Sequence, residues 1–327
     1  MIDNLRASEQ TSRKARLSYM DIFRASGIIL MVMGHVGFGH TFDKFIHAFH
    51  MPMFFFISGF FYQKKDTELT LIIRKKAKGL LIPYISFGLA HYVISLKNDV
   101  SIKPLLHILT INTTGMPIAG ALWFLTALFF TDIIYFILDK YNQKRLIIPL
   151  VLIGSFADQA LPYPLPWALS ASFVGLGLYW IGNYVRKNEE AFYEILNLKS
   201  WKLLITSAFA TALIFVNGYI NMRSGTYAFW TLFWINAILS CCIGISISKL
   251  VEKSEFRWGI KKLTSVGENS IVYVCLNQIV ISVVKKLVPF NSKLLCQTVV
   301  LISSMICLYG LSLLFTRTRL RFFIGKK

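Results

Sequence analysis

The chain has 327 residues, of which 55% are hydrophobic and only 16% are charged, and its mean hydropathy is +0.57. Soluble domains use about 45–50% apolar and about 25% charged residues, so this composition excludes an ordinary soluble domain and also a disordered chain, which would be poorly hydrophobic. The 35 lysines and arginines outnumber the 16 acidic residues, but they occur in short runs between apolar stretches, which argues against a nucleic-acid-binding protein and favours an integral membrane protein.

The sequence predicts neither a cleaved leader peptide nor a disulfide or metal site. The apolar stretch after the polar and basic residues 1–18 has no small-residue cleavage site, so we interpret it as a retained membrane helix. All five cysteines lie within apolar segments, without a C-x-x-C partner or a histidine at metal-ligand spacing. We therefore interpret them as buried small apolar residues.

Ten apolar stretches are long enough to be membrane-spanning helices, because about 20 residues at a rise of about 1.5 Å each cross about 30 Å of hydrocarbon. The fifth stretch is the weakest, since it ends at Asp158 and runs into a turn with three prolines. The pattern predicts an all-α fold, a polytopic membrane helix bundle of about ten transmembrane helices. The predicted stretches are 19–38, 45–62, 79–96, 118–138, 145–160, 167–185, 201–219, 226–248, 269–288 and 293–316.

The positive charges favour ten spans with both termini in the cytoplasm. In this arrangement 27 of the 35 lysines and arginines lie on the side of the termini and the even-numbered loops, and 4 lie on the opposite side. Cytoplasmic loops are the ones that carry excess Lys and Arg. Because all loops are short, we predict one membrane domain at 19–316, a basic cytoplasmic N-terminal segment at 1–18 and a basic cytoplasmic tail at 317–327, in the cell membrane.

The first predicted span carries three ionisable residues, Asp21, Arg24 and His35. Such groups are unfavourable within hydrocarbon by about 2.5–3.5 kcal/mol, so they are functional candidates. Arg24 and His35 are 11 residues apart, which places them only about 20° apart around the helix and about 16 Å apart along it. Asp21 is close enough to Arg24 for an i,i+3 ion pair. The alternative interpretation is that Asp21 and Arg24 flank one interface while His35 lies at the other.

A second histidine, His50, lies near the outer start of the second predicted span. Because His35 is near the outer end of the preceding span, a short hairpin brings the two imidazoles to similar depth. Pro52 removes a backbone hydrogen bond and is typical of a kinked or broken helix beside a cavity. His47 is a candidate third member of the group, although an interfacial position is the favoured interpretation for it.

Three further features each have two interpretations. The basic run before the third span is a topology signal, and at the mouth of a bundle it also suits phosphate binding. Trp123 fits an interfacial aromatic belt or a binding role. Asp132, deep in the fourth span, fits a functional role or an interhelical hydrogen bond. The basic run consists of Arg74, Lys75, Lys76 and Lys78.

Five groups of residues carry a family resemblance: Arg16, Asp21, Arg24 and His35; His50 to Gly59; the basic run before Ile82 and Pro83; Leu122 to Leu125; and Gly267 to Ser270. They resemble the acyltransferase 3 family, whose members are ten-span membrane enzymes that O-acylate sugars of surface polysaccharides, lipopolysaccharide and related glycans. The Arg-x10-His spacing together with the His-Met-Pro-x-Phe-Phe-Phe-Ile-Ser-Gly segment is the specific part. Many members have a histidine near Asn277, so only a supporting role is assigned to the ninth span.

The resemblance implies a division of roles. Acyl-CoA, usually acetyl-CoA, is a cytoplasmic co-substrate, no cofactor stays bound, and the acceptor is a sugar of a surface glycan or of a lipid-linked intermediate at the bilayer. The basic run binds the CoA phosphates, and the thioester passes Arg24. His35, with His50 beside it, is catalytic, either as general base for the sugar hydroxyl or as a transient acyl carrier. Trp123 and Ser58 are assigned to substrate binding.

The main alternative function is a transporter or flippase for a glycan precursor, since an outward histidine pair and a basic inner mouth also suit a substrate pathway. The sequence contains no matched pair of broken segments that would indicate inverted repeats. A polysaccharide polymerase would need a large outward loop, and the longest is about 97–117. The sequence therefore favours the O-acetyltransferase, and turnover of acyl-CoA by the purified protein separates it from a transporter.

Overall fold

The computed structural model of the protein describes residues 17–64, 67–97, 100–116, 120–288 and 292–326. Arg16 and nearly all of the predicted N-terminal segment 1–18 lie outside these residues. The described residues are largely helical, with one two-stranded antiparallel pair, β1 (Ile220–Asn221) and β2 (Thr226–Tyr227), in which Ile220 lies opposite Tyr227.

The helices follow the predicted apolar stretches closely. Each of the ten stretches contains at least one helix, and short helices fill several of the connections. In chain order the α-helices of the described residues are α1 (Ser18–Val36), α2 (His40–His47), α3 (His50–Phe60), α4 (Leu69–Lys76), α5 (Ile82–Ser95), α6 (Lys103–Leu109), α7 (Trp123–Lys140), α8 (Ile147–Ala160), α9 (Leu169–Lys187), α10 (Tyr193–Leu196), α11 (Ser200–Asn217), α12 (Trp230–Glu252), α13 (Arg257–Glu268), α14 (Ser270–Leu287) and α15 (Lys293–Arg317). Shorter 3-10 turns are Lys144–Leu146, Pro166–Ala168, Met222–Ser224 and Arg319–Ile324, and Ala77–Leu81 is a π-helical turn that joins α4 to α5.

Six helices of the described chain are long and apolar enough to cross a membrane: α1, the continuous α4–α5 unit, α11, α12, α14 and α15. The other predicted stretches are helical but are shorter, more charged or less apolar than these six. The 11 residues of α3 and the 14 residues of α8 extend only about 17 Å and about 21 Å at the rise of an α-helix. The protein is thus a helical multi-pass membrane protein, and the count of ten spans remains a prediction.

The second predicted stretch, 45–62, is divided into two helices. α2 ends at His47 and α3 begins at His50, so the chain breaks before Pro52. The predicted kink at Pro52 itself is not present. Pro52 lies in the first turn of α3, where its missing N–H removes no hydrogen bond from the helix. The break places His50 at the start of α3 while His47 ends α2.

Helix α1 lies at the centre of the bundle and packs against α3, α12, α13, α14 and α15. Its closest approach is to α13, where a Cβ at Gly267 would lie only 2.0 Å from the carbonyl oxygen of Asp21. A larger residue at position 267 would therefore push α13 away from the turn of α1 that carries Asp21 and Arg24. This contact gives a structural reason for the glycine in the Gly267–Ser270 motif.

Glycines also bring α3 and α9 together. A Cβ at Gly59 would lie 1.9 Å from the carbonyl oxygen of Tyr179, and one at Gly182 would lie 2.1 Å from that of Phe56. Small residues allow such close backbone contact between helices in membranes, where packing rather than the hydrophobic effect holds helices together. The aromatic helix α3 is thereby fixed against α9, and α9 packs in turn on α7 and α8.

Candidate functional site

Most of the polar residues singled out in the sequence line one of two cavities, whereas Asp21, Arg74 and Lys78 line neither. The basic cavity has a volume of about 530 Å³, and the histidine cavity has a volume of about 110 Å³. The polar lining of the basic cavity includes Arg24, Ser58, Lys75, Lys76, Asp132 and Tyr179. The polar lining of the histidine cavity includes His35, His47, His50, Trp123 and Arg223.

Arg24 reaches the basic cavity from the second turn of α1. Its Nη1 donates to Oδ1 of Asp21 at 3.3 Å, and Asp21 is only 3% exposed. The guanidinium carbon also lies 5.6 Å from the ring centroid of Phe61, just after α3. The ion pair expected from the i,i+3 spacing is present, and together with the aromatic ring it orients the guanidinium.

Asp132, in the middle of α7, connects the basic run to the bundle. Its Oδ1 lies 2.7 Å from Nζ of Lys76 and accepts a hydrogen bond of 2.8 Å from the hydroxyl of Tyr179 in α9. Because Asp132 is 4% exposed, these two partners offset much of the unfavourable desolvation of its carboxylate. The hydrogen bond with Tyr179 is the interhelical contact that was one of the two interpretations for Asp132. The ion pair with Lys76 was not predicted from the sequence.

The four cations of the basic run do not share one position. Lys75 and Lys76 line the basic cavity, whereas Arg74 and Lys78 are not among its lining residues. α4 ends at Lys76, and the π-helical turn that follows shifts the phase of the helix before Lys78. Lys75 and Lys76 are therefore the two members of the run that a molecule in this cavity can contact directly.

In the histidine cavity, backbone carbonyls fix the tautomers of His47 and His50. Nδ1 of His50 donates to the carbonyl oxygen of Ile46 at 2.7 Å, and Nδ1 of His47 donates to that of Asp43 at 2.9 Å. A carbonyl oxygen only accepts, so in the neutral rings the proton lies on Nδ1 and the lone pair lies on Nε2. The two rings meet edge to face with centroids 4.9 Å apart. Each Nε2 is thus suited to accept a proton.

Gln278 of α14 fixes the opposite tautomer of His35. The backbone N–H of Gly120 donates to Oε1 of Gln278 at 2.9 Å, which directs the amide Nε2 of Gln278 to Nδ1 of His35 at 3.1 Å. Since the amide nitrogen only donates, Nδ1 of the neutral ring accepts and the proton lies on Nε2. Gln278 thus positions His35 as a hydrogen-bond donor. Gln278 is one of two polar residues, with Asn277, that the sequence offers in the ninth span for interhelical contacts, but nothing local identifies His35 as its partner. The neighbouring Asn277 bonds to carbonyls of its own helix.

Tyr219, in the connection after α11, supports His47 from outside the cavity. Its hydroxyl donates to Oδ2 of Asp43 at 2.7 Å, and its ring centroid lies 5.6 Å from that of His47. Desolvation and this hydrogen bond raise the pKa of Tyr219 to about 12, so the hydroxyl stays a neutral donor near pH 7. Asp43 therefore keeps the backbone geometry that His47 uses.

Trp123 and Arg223 complete the wall of the histidine cavity. Trp123 is 4% exposed and lines the cavity from the start of α7, so it does not occupy a lipid-facing belt position. Arg223 enters from the connection between β1 and β2. In the sequence it is a lone cation of an outward loop, and nothing there linked it to the histidines.

The two cavities lie at different depths along the same three helices. In α1, Arg24 lines the basic cavity and Met31 lines the histidine cavity. The corresponding pairs are Ser58 and Phe54 in α3, and Leu128 and Phe124 in α7. These spacings correspond to about 6–10 Å along the helix axes. The rings of Phe54 and Phe124, with centroids 5.5 Å apart, line the histidine cavity one helical turn from Ser58 and Leu128 of the basic cavity. The arrangement suits a reaction in which the two substrates enter from opposite ends.

The remaining core histidines have structural contacts. Nε2 of His91 donates to the carbonyl oxygen of Cys275 and Nδ1 of His107 donates to that of Ile111, both at 2.9 Å. Within the described parts of the chain, no group of three or more His, Cys, Asp or Glu side chains is arranged to hold a metal ion.

The chain matches a known protein family. The family model for acyltransferase 3, described as an acyltransferase domain, matches residues 17–316, which is nearly the whole chain and includes both cavities. No curated protein matches the chain significantly.

Proposed function

Because the chain belongs to the acyltransferase 3 family, we propose that this membrane acyltransferase is an O-acetyltransferase that moves an acetyl group from cytoplasmic acetyl-CoA to a sugar hydroxyl of a surface polysaccharide or of its lipid-linked precursor. One observation carries the proposal. A cation-lined cavity and an imidazole-lined cavity share three helices, and the rings of Phe54 and Phe124 line the second cavity one helical turn from the first. A donor with phosphates and an acceptor with a hydroxyl are the two substrates that such a pair of cavities suits.

The orientation follows from the charge distribution. With ten spans and both termini in the cytoplasm, the basic cavity opens toward the cytoplasm, because Lys75 and Lys76 belong to the basic run that precedes the third predicted span. The histidine cavity then opens to the outside of the cell membrane. Acetyl-CoA then enters the basic cavity from the cytoplasm, where it is made. The acceptor enters the histidine cavity from the outer side, where surface glycans are assembled.

In the basic cavity, Lys75 and Lys76 bind phosphates of acetyl-CoA, and Arg24 and Ser58 contact the arm that carries the thioester. The volume of about 530 Å³ lies within the usual range of about 300–1,000 Å³ for ligand pockets. Asp21 and Asp132 hold two of the cations in place without filling the cavity, since each carboxylate is buried against its partner. Arg24 is suited to bind a carbonyl oxygen, because its planar group keeps a fixed direction.

In the histidine cavity, the hydrogen bonds support a division of labour between two imidazoles. Nε2 of His50 accepts the proton of the sugar hydroxyl, while Nε2–H of His35 donates to the thioester carbonyl oxygen as it gains negative charge. The new O–C bond forms as the C–S bond breaks, and the proton taken by His50 returns to the CoA thiolate. The cavity volume of about 110 Å³ suits a short acyl group, since a cavity of about 150 Å³ holds a benzene molecule.

The test is acetyl transfer by the purified protein in lipid nanodiscs. With labelled acetyl-CoA and surface glycan from a strain that lacks the gene, the wild type transfers label to the glycan. His35→Ala and His50→Ala each lower the rate by at least about 10²-fold, whereas His107→Ala, a structural histidine of the same type, retains activity.

A protein that binds glycan precursor but never consumes acetyl-CoA would overturn the proposal and restore the flippase, which family membership does not favour. Equal activity of His107→Ala and His35→Ala would remove the assignment of the histidine cavity. Each variant is compared at equal amounts of protein eluting as a single species in gel filtration.

A further inference from the structure

A short hairpin between α11 and α12 carries one cation into the histidine cavity. The turn Met222–Ser224 joins β1 to β2 and presents the side chain of Arg223. The side chain of Asn221 accepts a hydrogen bond of 3.0 Å from the backbone of Arg223, and Gly225 ends the turn with a φ of +65° that favours glycine. Met222 is buried. The hairpin is therefore anchored in the fold and holds Arg223 in place.

The guanidinium of Arg223 is only partly engaged by protein. Its Nε donates to the carbonyl oxygen of Thr113 at 2.6 Å, which leaves the two terminal amino groups for other partners. No Asp or Glu lines the cavity, and within the described chain Arg223 forms no salt bridge. Burial lowers the pKa of Arg223, because desolvation disfavours the charged form, and an anion brought by a ligand would offset this effect.

Arg223 is also close to the imidazole of His35. A Cβ at Gly120 would lie 2.9 Å from Nη1 of Arg223 and 3.0 Å from Nε2 of Gln278, which is 3.1 Å from Nδ1 of His35. The sum of these three distances sets an upper limit of about 9 Å on the separation between Nη1 of Arg223 and Nδ1 of His35. One hexose with its exocyclic groups spans such a distance.

We propose that Arg223 binds an anionic group of the acceptor, so that the enzyme acetylates an acidic glycan whose carboxylate or phosphate lies on the acetylated sugar or its neighbour. The inference rests on the proposed function and names its substrate class. A guanidinium binds both carboxylate and phosphate oxygens through paired N–H groups, and such charge-assisted bonds are stronger than neutral ones. With the anion held by Arg223, one hydroxyl of the sugar is brought to His50 and the others are excluded.

Substitutions separate this role from a purely structural one. Arg223→Lys retains the charge but loses the planar fork, and Arg223→Gln loses both. Lys103→Gln is the matched control, because Lys103 is an exposed cation on the same predicted side of the membrane and does not line the cavity. A structural role of Arg223 would lower activity with every acceptor. A binding role raises KM for the anionic acceptor and leaves KM for acetyl-CoA unchanged.

The experiment begins with the glycans of the source strain. Mass spectrometry and NMR identify the glycan that loses its acetyl groups when His35→Ala replaces the wild-type gene. That glycan is then used as acceptor in nanodiscs, before and after removal of its anion, by carboxyl reduction if the anion is a uronate and by dephosphorylation if it is a phosphate. We expect KM for the acceptor to rise roughly 10- to 100-fold when the anion is removed, and by a similar factor in Arg223→Gln. Removing the anion should then raise KM little further in Arg223→Gln, because both changes remove the same interaction. Lys103→Gln should behave as the wild type.

The outcomes are distinct. If no glycan loses acetyl groups even in a strain that lacks the gene, the proposed function fails and the inference fails with it. If a glycan loses them in that strain but not in the His35→Ala strain, the acetyltransferase stands, and the assignment of the histidine cavity and of Arg223 is overturned. If the affected glycan has a neutral repeat, or if Arg223→Gln lowers kcat equally on the native and the anion-free glycan, the acetyltransferase stands and the assignment of Arg223 is overturned. Which treatment raises KM tells whether the bound group is a carboxylate or a phosphate.

Discussion

Individual side chains in the histidine cavity have chemical roles set by neighbours distant in sequence. His35 and Gln278 are separated by 243 positions, yet their contact decides which nitrogen of the imidazole carries the proton. His50 takes its tautomer from the carbonyl of Ile46, four residues earlier. The sequence placed both histidines in one site, but the difference between donor and acceptor needed the tertiary contacts.

A glutamine scan of the histidines tests this difference. His35→Gln retains an N–H donor at a similar position, so we expect it to keep more activity than His35→Ala, whereas His50→Gln loses the proton acceptor and falls about 10²–10⁴-fold in kcat. The measurement is single-turnover acetyl transfer, which isolates the chemical step. His107→Gln controls for the substitution itself. If His35→Gln is as inactive as His35→Ala while His50→Gln is active, His35 is the base or the acyl carrier.

The division of the basic run leads to a second prediction. Lys75→Gln should raise KM for acetyl-CoA several-fold with little change in kcat, because a phosphate contact far from the reacting carbon stabilises bound substrate and transition state equally. Arg74→Gln, the adjacent exposed cation that does not line the cavity, should have the kinetics of the wild type. Equal effects of the two changes would mean that the run acts only through its overall charge.

Lys76 needs a different variant, because its loss leaves Asp132 buried without its cation. Removing one partner of a fully buried pair destabilises a protein by about 3–5 kcal/mol. The effect here should be smaller because the Lys76 side chain is 37% exposed, but a loss of stability would still obscure an effect on binding. We expect Lys76→Gln to melt at lower temperature in detergent, and the double variant Lys76→Gln with Asp132→Asn to recover most of the loss. The double variant then reports the contribution of Lys76 to KM for acetyl-CoA. An unchanged melting temperature of Lys76→Gln would contradict the ion pair.

At the scale of elements, departures from regular helix position the site. The break between α2 and α3 brings His47 and His50 edge to face, and the π-helical turn after α4 separates Lys78 from Lys75 and Lys76. Hydropathy identifies a stretch of chain as apolar but does not show where its hydrogen-bond pattern changes. Pro52 is the one local signal, and the break, at residues 48 and 49, lies directly before the helix that contains this proline.

The rings of Phe54 and Phe124 in the wall of the histidine cavity should set the length of the transferred acyl group. Phe54→Leu or Phe124→Leu enlarges the histidine cavity, so the ratio of kcat/KM for butanoyl-CoA to that for acetyl-CoA should rise about tenfold, since each methylene in an apolar pocket changes discrimination by about 1–3 kcal/mol. Leucine is used because Phe→Ala in a core is more destabilising. Phe209→Leu, an exposed position of α11, is the control. An unchanged ratio in folded variants would mean that the acyl group does not reach these rings.

For the molecule as a whole, the sequence predicted the helical segments and the family well, because length and hydropathy are local properties. It also brought His35 and His50 together, since consecutive helices meet at their shared loop. It did not predict the pairing of Lys76 with Asp132, the contact of Gln278 with His35 or the entry of Arg223. These contacts join segments 56 to 243 residues apart. In a membrane bundle, which helices pack side by side depends on close contacts such as those at Gly59 and Gly182, and hydropathy does not reveal these contacts.

The arrangement of the chain in the membrane gives the last prediction, which concerns the short helix α3. Its 11 residues are too few to cross hydrocarbon alone, so α2, the break and α3 must cross together if the ten-span arrangement holds. Single cysteines at His40 and Lys64, on either side of this unit, should then label from opposite faces of the membrane, with His40 outside. Lys326 should label from the cytoplasm together with Lys64, since both lie on the side that carries 27 of the 35 basic residues.

The label is a membrane-impermeant maleimide applied to intact cells and to inverted vesicles, with the five native cysteines replaced by alanine. Thr110, exposed on the predicted outer side, is the positive control for labelling from outside. If His40 and Lys64 label from the same face, α2 and α3 form a re-entrant pair. The histidine cavity would then open on the same side as the basic cavity, and the donor and the acceptor would have to meet on one face of the membrane.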